Sequence, residues 1–188
     1  MALLQGRQLT CERGGKLLFS GLSFAYDNHD LVHVVGKNGA GKSTLLKMMC
    51  GLYVDFSGEI DWQVARHPLY LGHKSPIKPL LTVVENLDWL CRLQGTTVND
   101  FSSVLTRFGL SNVPCSQLSE GQKKRVALAR LMLIDREAWL LDEPFSALDD
   151  LGRDVLEGLL SQHIANGGIA LVTSHQPVNG ATQQLSLS

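Results

Sequence analysis

Apolar positions fall into two rhythms that take turns along this chain. Short unbroken apolar runs read as strands buried on both faces: "LVHVVG" ending at Gly36, "AWLLDEP" from Ala138, and "IALVTSH" from Ile169. Between them lie stretches with helical spacing. In "KSTLLKMMCGL" the residues Leu45, Leu46, Met49 and Cys50 fall on one side, and Gly51 is a stop signal. In "PLLTVVENLDWLCRLQG" a Thr82-x-x-Glu85 capping box precedes a stripe of Leu87, Leu90 and Cys91. "VNDFSSVLTRFGL", "EGQKKRVALARLML" and "LGRDVLEGLLSQHIANGG" read as further helices, the last ended by its glycines. The opening 26 residues read as short strands broken at Gly14–Gly15 and Gly21, and "GEIDW" and "PLYLG" as strands too. Strand alternating with helix predicts an α/β fold with a mostly parallel sheet. The stretch from Ser75 to Gly109 carries helices alone. It predicts a small helical subdomain, roughly 75–130, inserted in a single domain spanning 1–188.

Composition narrows the class without changing that picture. Of 188 residues, 44% are hydrophobic and 19% charged, an ordinary globular mixture able to bury a core. A formal net charge of -1 gives no general attraction for nucleic acid or for an anionic membrane. The first residues lack the charged and apolar regions of a signal peptide, and no run reaches the roughly 20 apolar residues of a membrane span. A membrane role is therefore expected to come through a partner. The four cysteines are scattered, with no C-x-x-C, as expected for reduced thiols in the cytosol.

Three clusters carry candidate chemistry. The first is G-x-x-x-x-G-K-S after a strand and opening a helix: Gly36, Lys37, Asn38, Gly39, Ala40, Gly41, Lys42, Ser43, then Thr44. Residues without Cβ let successive backbone N–H groups converge on phosphate oxygens, and the helix adds its positive dipole end. Lys42 brings a charge to the β- and γ-phosphates, and the Ser43 hydroxyl can ligate Mg²⁺. The second is Asp142–Glu143 at the carboxyl end of an apolar strand, where α/β sheets keep their ligands. Asp142 would hold Mg²⁺, and Glu143 would polarise an attacking water as general base. The third is "LSEGQ", with Ser119, Gly121 and Gln122 opening a helix. It is either a second anion site or a simple N-cap at Ser119, or both.

Five motifs in one order, Gly36–Thr44, "LSEGQ", "LLDEP", "SALD" and "TSHQ", resemble the ATP-binding subunits of ABC transporters, over nearly the whole chain. The resemblance implies a P-loop NTPase core with an antiparallel β edge, and ATP and Mg²⁺ as cofactors. It implies a head-to-tail dimer in which "LSEGQ" of one copy covers the γ-phosphate held by Gly36–Thr44 of the other. Asp149 would lie in the dimer-contact segment, and His175 would sense the γ-phosphate. The phrases "CERGGKLLFSGLSF", "YLGHKSPIKPLLTVVENL" and "SHQPVN" are similar to the haem exporter ATP-binding family of cytochrome c biogenesis. That implies an integral membrane partner in a haem-handling complex and a peripheral place on the cytoplasmic face of the inner membrane. The alternatives are the ATPase of another ABC transporter, or an ABC ATPase outside transport. Two positions depart from the pattern. Lys74 stands where these ATPases carry a glutamine that reaches Mg²⁺, and a protonated lysine offers only donors. "CERGG" stands where an aromatic usually stacks on adenine, which leaves Arg13 or Cys11 to meet the base.

Overall fold

The computed structural model describes residues 2–74 and 76–187. Ser75, where the expected helical subdomain begins, lies outside them. The chain divides into two compact units: Met1–Gly72 with Arg136–Glu143 and Ser161–Ser188, and His73–Asp135 with Pro144–Leu160.

The first unit holds two sheets. β1 (Leu4–Arg13), β2 (Lys16–Tyr26) and β4 (Ser57–Trp62) form an antiparallel sheet in the order β2-β1-β4. Its hairpin turns at Gly14–Gly15, as the sequence predicts. Gly21 does not break β2, contrary to expectation. The strand passes through it at φ 66, and its N–H donates to Thr10 Oγ1 at 3.1 Å, so the irregularity is absorbed as a register shift against β1.

The second sheet is entirely parallel, in the order β5-β6-β7-β3-β8. Its strands are β3 (Leu31–Gly36), β5 (Leu69–Leu71), β6 (Ala138–Asp142), β7 (Ile169–Thr173) and β8 (Gln183–Leu187). β6 and β7 are buried at every position, which is why they read as unbroken apolar runs. β8 has no counterpart in the sequence reading: "QQLSL" offers only Leu185 and Leu187 to the core. It pairs with β3 nonetheless, so the strand feeding the glycine-rich loop is held on both sides. α1 (Lys42–Met49) packs Leu45, Leu46 and Met49 into the core as expected. Met48 is buried with them, whereas Cys50 is half-buried as the C-cap.

The second unit contains α2 (Val83–Leu93), α3 (Ser102–Arg107), α4 (Glu120–Leu128) and α5 (Arg130–Leu133). The Thr82–Glu85 capping box forms, and Leu87, Leu90 and Cys91 are buried. Asn86, fully buried, donates to the carbonyls of Lys78, Leu81 and Thr82, and its Oδ1 accepts from the Lys78 N–H. The helix expected through residues 120–133 is interrupted at Ala129, and the one expected from Val98 shrinks to six residues. α6 (Asp150–Ala165) begins in this unit and ends in the other, closed by Gly167 at φ 90. Among the described residues no helix is long and apolar enough to cross a membrane.

Candidate functional site

The parallel sheet brings three strand ends side by side: Gly36 of β3, Asp142 of β6 and Thr173 of β7. Gly36 leads into the loop closed by α1. A Cβ at Gly36 would lie 2.7 Å from the Leu187 carbonyl oxygen, so β8 excludes any side chain there. Gly41 is the N-cap of α1 at φ 101, a left-handed conformation that glycine alone adopts freely. It offers no side chain to cap the first turn, and that turn, Lys42-Ser43-Thr44, carries no acid. The helix N–H groups and dipole therefore face the loop with nothing negative of the helix's own against them. Lys42 is buried and donates to the carbonyls of Gly36 (2.7 Å) and Lys37 (3.4 Å), which lays its ammonium across the loop.

Opposite stands the carboxylate of Asp142, only 3% exposed. Its Oδ1 accepts from Ser43 Oγ at 2.9 Å and from Thr173 Oγ1 at 3.0 Å. The phenol of Tyr70, on the neighbouring β5, is pushed well up from its usual value. Burial is the main cause, followed by the charges of Asp142 and Cys50 and by hydrogen bonding to Asp142. Glu143 follows at φ 49, a left-handed conformation that costs a non-glycine residue about 1–3 kcal/mol. Its backbone N–H is held by Thr173 Oγ1 at 2.8 Å. Its buried Oε1 lies 3.5 Å from His175 Nε2. A cleft of about 410 Å³ opens over these groups, lined among others by Asn38, Lys42, Ser43, Glu143, His175 and Arg13.

The residue set Gly36 to Thr44, Asp142, Glu143 and His175 is thus gathered in the first unit. Ser43 and Asp142 supply hard oxygen donors already within hydrogen-bond distance of each other. That pair suits a small divalent cation such as Mg²⁺, which takes one or two protein oxygens and completes its shell with phosphate and water. Arg13 lines the same cleft, and its guanidinium lies 6.0 Å from the Tyr53 ring centroid. The Tyr53 hydroxyl donates to the Glu12 carbonyl at 3.3 Å, which sets this ring beside the "CERGG" segment. Thr173 and Tyr70 are the polar neighbours that sequence reasoning passed over. Thr173 stood in plain view in "LVTSH", two places before the histidine, whereas nothing marked Tyr70.

The "LSEGQ" segment lies in the second unit. Ser119 is the N-cap of α4: its Oγ accepts from Gln122 N at 3.2 Å, and Gln122 Oε1 accepts from Ser119 N at 2.9 Å. Glu120 reaches solvent and pairs with Lys123 at 2.8 Å. A Cβ on Gly121 would come within 3.2 Å of the Ala147 carbonyl oxygen, so here glycine answers to a close backbone approach. Asp149 accepts from Gly152 N at 3.0 Å and pairs with the buried Arg125 at 3.2 Å. Lys74 lines a cavity of about 470 Å³ in this unit with His73, Ile77, Lys123 and Ser146.

Comparison with known proteins comes to the same place. The ABC transporter family model matches residues 19–146. The cytochrome c biogenesis ATP-binding export protein CcmA of Saccharophagus degradans is 43% identical over 194 residues, covering 92% of this chain and 87% of that one. The CcmA of Escherichia coli strain K12 is 41% identical over 197 residues, covering 98% and 95%. Among solved structures, an ABC transporter ATP-binding protein from Pyrococcus furiosus superimposes with a TM-score of 0.84 at 22% identity, over 98% of this chain and 96% of its own. An ATP-binding subunit of another ABC transporter gives 0.79 at 24%, over 92% and 80%. At that identity the two structures speak for the fold alone.

Proposed function

The chain belongs to the ABC transporter family, and from that premise we propose that it is the ATP-hydrolysing subunit of a membrane complex that handles haem for c-type cytochrome assembly. The ATPase half rests on one observation above all. The Asp142 carboxylate and the Ser43 hydroxyl meet at 2.9 Å at the mouth of a loop whose lysine and helix N-terminus both face inward. A buried lysine, a helix start without a side-chain cap and a hydroxyl–carboxylate pair are the groups that a phosphate chain and its cation call for.

Each residue then has work to do. The backbone N–H groups of Gly36–Thr44 take the phosphate oxygens. Lys42 turns from the Gly36 and Lys37 carbonyls to the β- and γ-phosphates, where charge grows as the terminal bond breaks. Ser43 and Asp142 would hold Mg²⁺, which supplies charge neutralisation on the phosphates. Glu143 takes the proton from the attacking water, and His175, whose Nε2 lies 3.5 Å from the Glu143 carboxylate, would sense the γ-phosphate. Arg13 offers the planar face for the base. Ser119, Gly121 and Gln122 act in trans: two copies bind head to tail, and the start of α4 in one covers the γ-phosphate of the other. The partner in the membrane carries the cargo path, and this subunit sits peripherally on the cytoplasmic face.

Glu143→Gln tests the mechanism and the dimer together. Glutamine keeps the shape but cannot take a proton. Turnover should fall about 10²- to 10⁴-fold while ATP still binds, and size-exclusion chromatography should show dimers in ATP that dissociate in ADP. Wild-type turnover would remove Glu143 as the base. The haem assignment is tested separately: a deletion strain should make apocytochrome c but no haem-stained holocytochrome, and normal holocytochrome would overturn it.

A further inference from the structure

Asp142 and Glu143 sit next to each other in sequence but do different jobs, and each must be aimed independently. β6 ends at Asp142, which pairs in register with Thr173 of β7. Glu143 leaves the ladder in a left-handed turn, so its N–H has no strand carbonyl to meet. A single side chain serves both residues. The Thr173 hydroxyl spends its one proton on Asp142 Oδ1 (3.0 Å) and receives the Glu143 N–H (2.8 Å). Thr173 is fully buried and β-branched, so packing in the strand fixes where that hydroxyl points. Asp142 Oδ1 also takes the Ser43 hydroxyl, so one continuous chain of hydrogen bonds runs from the first turn of α1 through Asp142 and Thr173 to the backbone of Glu143.

We propose that Thr173 is a positioning residue for ATP hydrolysis: its hydroxyl locks the carboxylate of Asp142 and the turn that aims Glu143 into one geometry. The proposal rests on the ATPase reading above. Thr173 is fully buried, and its hydroxyl reaches the site through Asp142 and the Glu143 N–H. Its loss should therefore slow turnover without weakening the nucleotide's hold on Gly36–Thr44.

The experiment compares Thr173→Val, which keeps the shape and deletes the hydroxyl, with Thr173→Ser, which keeps the hydroxyl. Steady-state ATPase, affinity for a fluorescent ATP analogue in EDTA, and thermal unfolding are measured on each. For Thr173→Val, kcat should drop about 10- to 100-fold, the scale of a misplaced catalytic group, with analogue affinity within about twofold of wild type. Thr173→Ser should stay within about threefold in kcat, because it restores the same donor and acceptor. Wild-type kcat in Thr173→Val would overturn the proposal. So would equal losses in both variants, or an affinity loss matching the loss in kcat. Should Thr173→Val not fold, Thr173→Ala takes its place under the same criteria. Lys42→Ala runs alongside. If it hydrolyses ATP at the wild-type rate, the ATPase reading itself fails. If it is inactive while Thr173→Val is normal, only the positioning role of Thr173 falls.

Discussion

Two helix starts in this molecule look alike in sequence and are built on opposite principles. At α1 the N-cap is a glycine, the first turn brings a lysine instead of an acid, and Ser43 spends its hydroxyl on a carboxylate 99 residues away. At α4 the N-cap serine and the N3 glutamine bond each other's backbone, an acid sits in the first turn, and that acid pairs three residues on with Lys123. The first helix start leaves its N–H groups and dipole to something outside the chain. The second satisfies two of its own and can be stable with no ligand at all. A glycine- and serine-rich turn before a helix leaves its N–H groups wholly to a ligand only when the local capping groups are missing. Where they are present, any ligand must be shared with a cap that already works.

Three experiments break or sharpen that contrast. Lys42→Ala strikes the unsatisfied helix start and carries the largest effect. ATPase activity should drop about 10²- to 10³-fold, the usual cost of removing one electrostatic contact to developing charge, with thermal unfolding little changed. Activity surviving the change would make α1 no more of a phosphate site than α4. Ser119→Ala strikes the self-satisfied start. It should cost about 1 kcal/mol of stability, the typical price of an N-cap, while monomer affinity for ATP stays at the wild-type level. A loss of ATP affinity in isolated monomers would mean that α4 serves the nucleotide of its own chain.

The smallest effect separates the units by pH. All three tyrosines, Tyr26, Tyr53 and Tyr70, lie in the first unit. Burial is the main cause that pushes Tyr26 up to about 12 and Tyr70 further. The sign follows from linkage. Folded phenols whose values lie above the unfolded one, about 10, contribute fully below pH 10, and that contribution is lost as pH rises from there through the folded values. Burial pushes cysteines up in both units, Cys11 and Cys50 in the first and Cys91 and Cys115 in the second, so the tyrosines are what sets the units apart. Urea unfolding between pH 8 and 11 should therefore weaken the first unit more. Variants that keep only Trp139 report on the first unit, and variants that keep only Trp89 on the second. Equal shifts in both reporters would remove the tyrosines as the cause.

The loop Gly36–Thr44, the strand before it and the helix after it were legible in sequence because they are local. One element hands the chain to the next, and the glycines mark where backbone must approach a ligand or another strand. The buried strands β6 and β7 were legible for a related reason: a strand covered on both faces is apolar at every position. The capping box at Thr82 and the N-cap at Ser119 were likewise written within four residues, although the reciprocal bond from Gln122 was not read. Tertiary structure decided what no local pattern encodes. It placed the polar segment of β8 against Gly36, where the Leu187 carbonyl forbids a side chain. It put Tyr70 beside Asp142, and it chose Thr173 out of many threonines to bond both carboxylate residues' surroundings. Those choices depend on strand order and register, which bring together residues far apart in sequence, from 31 positions for Thr173 and Asp142 to well over a hundred for Gly36 and Leu187. A hydroxyl in a buried strand looks the same in sequence whether it points at a neighbouring carboxylate or merely fills its place in the sheet.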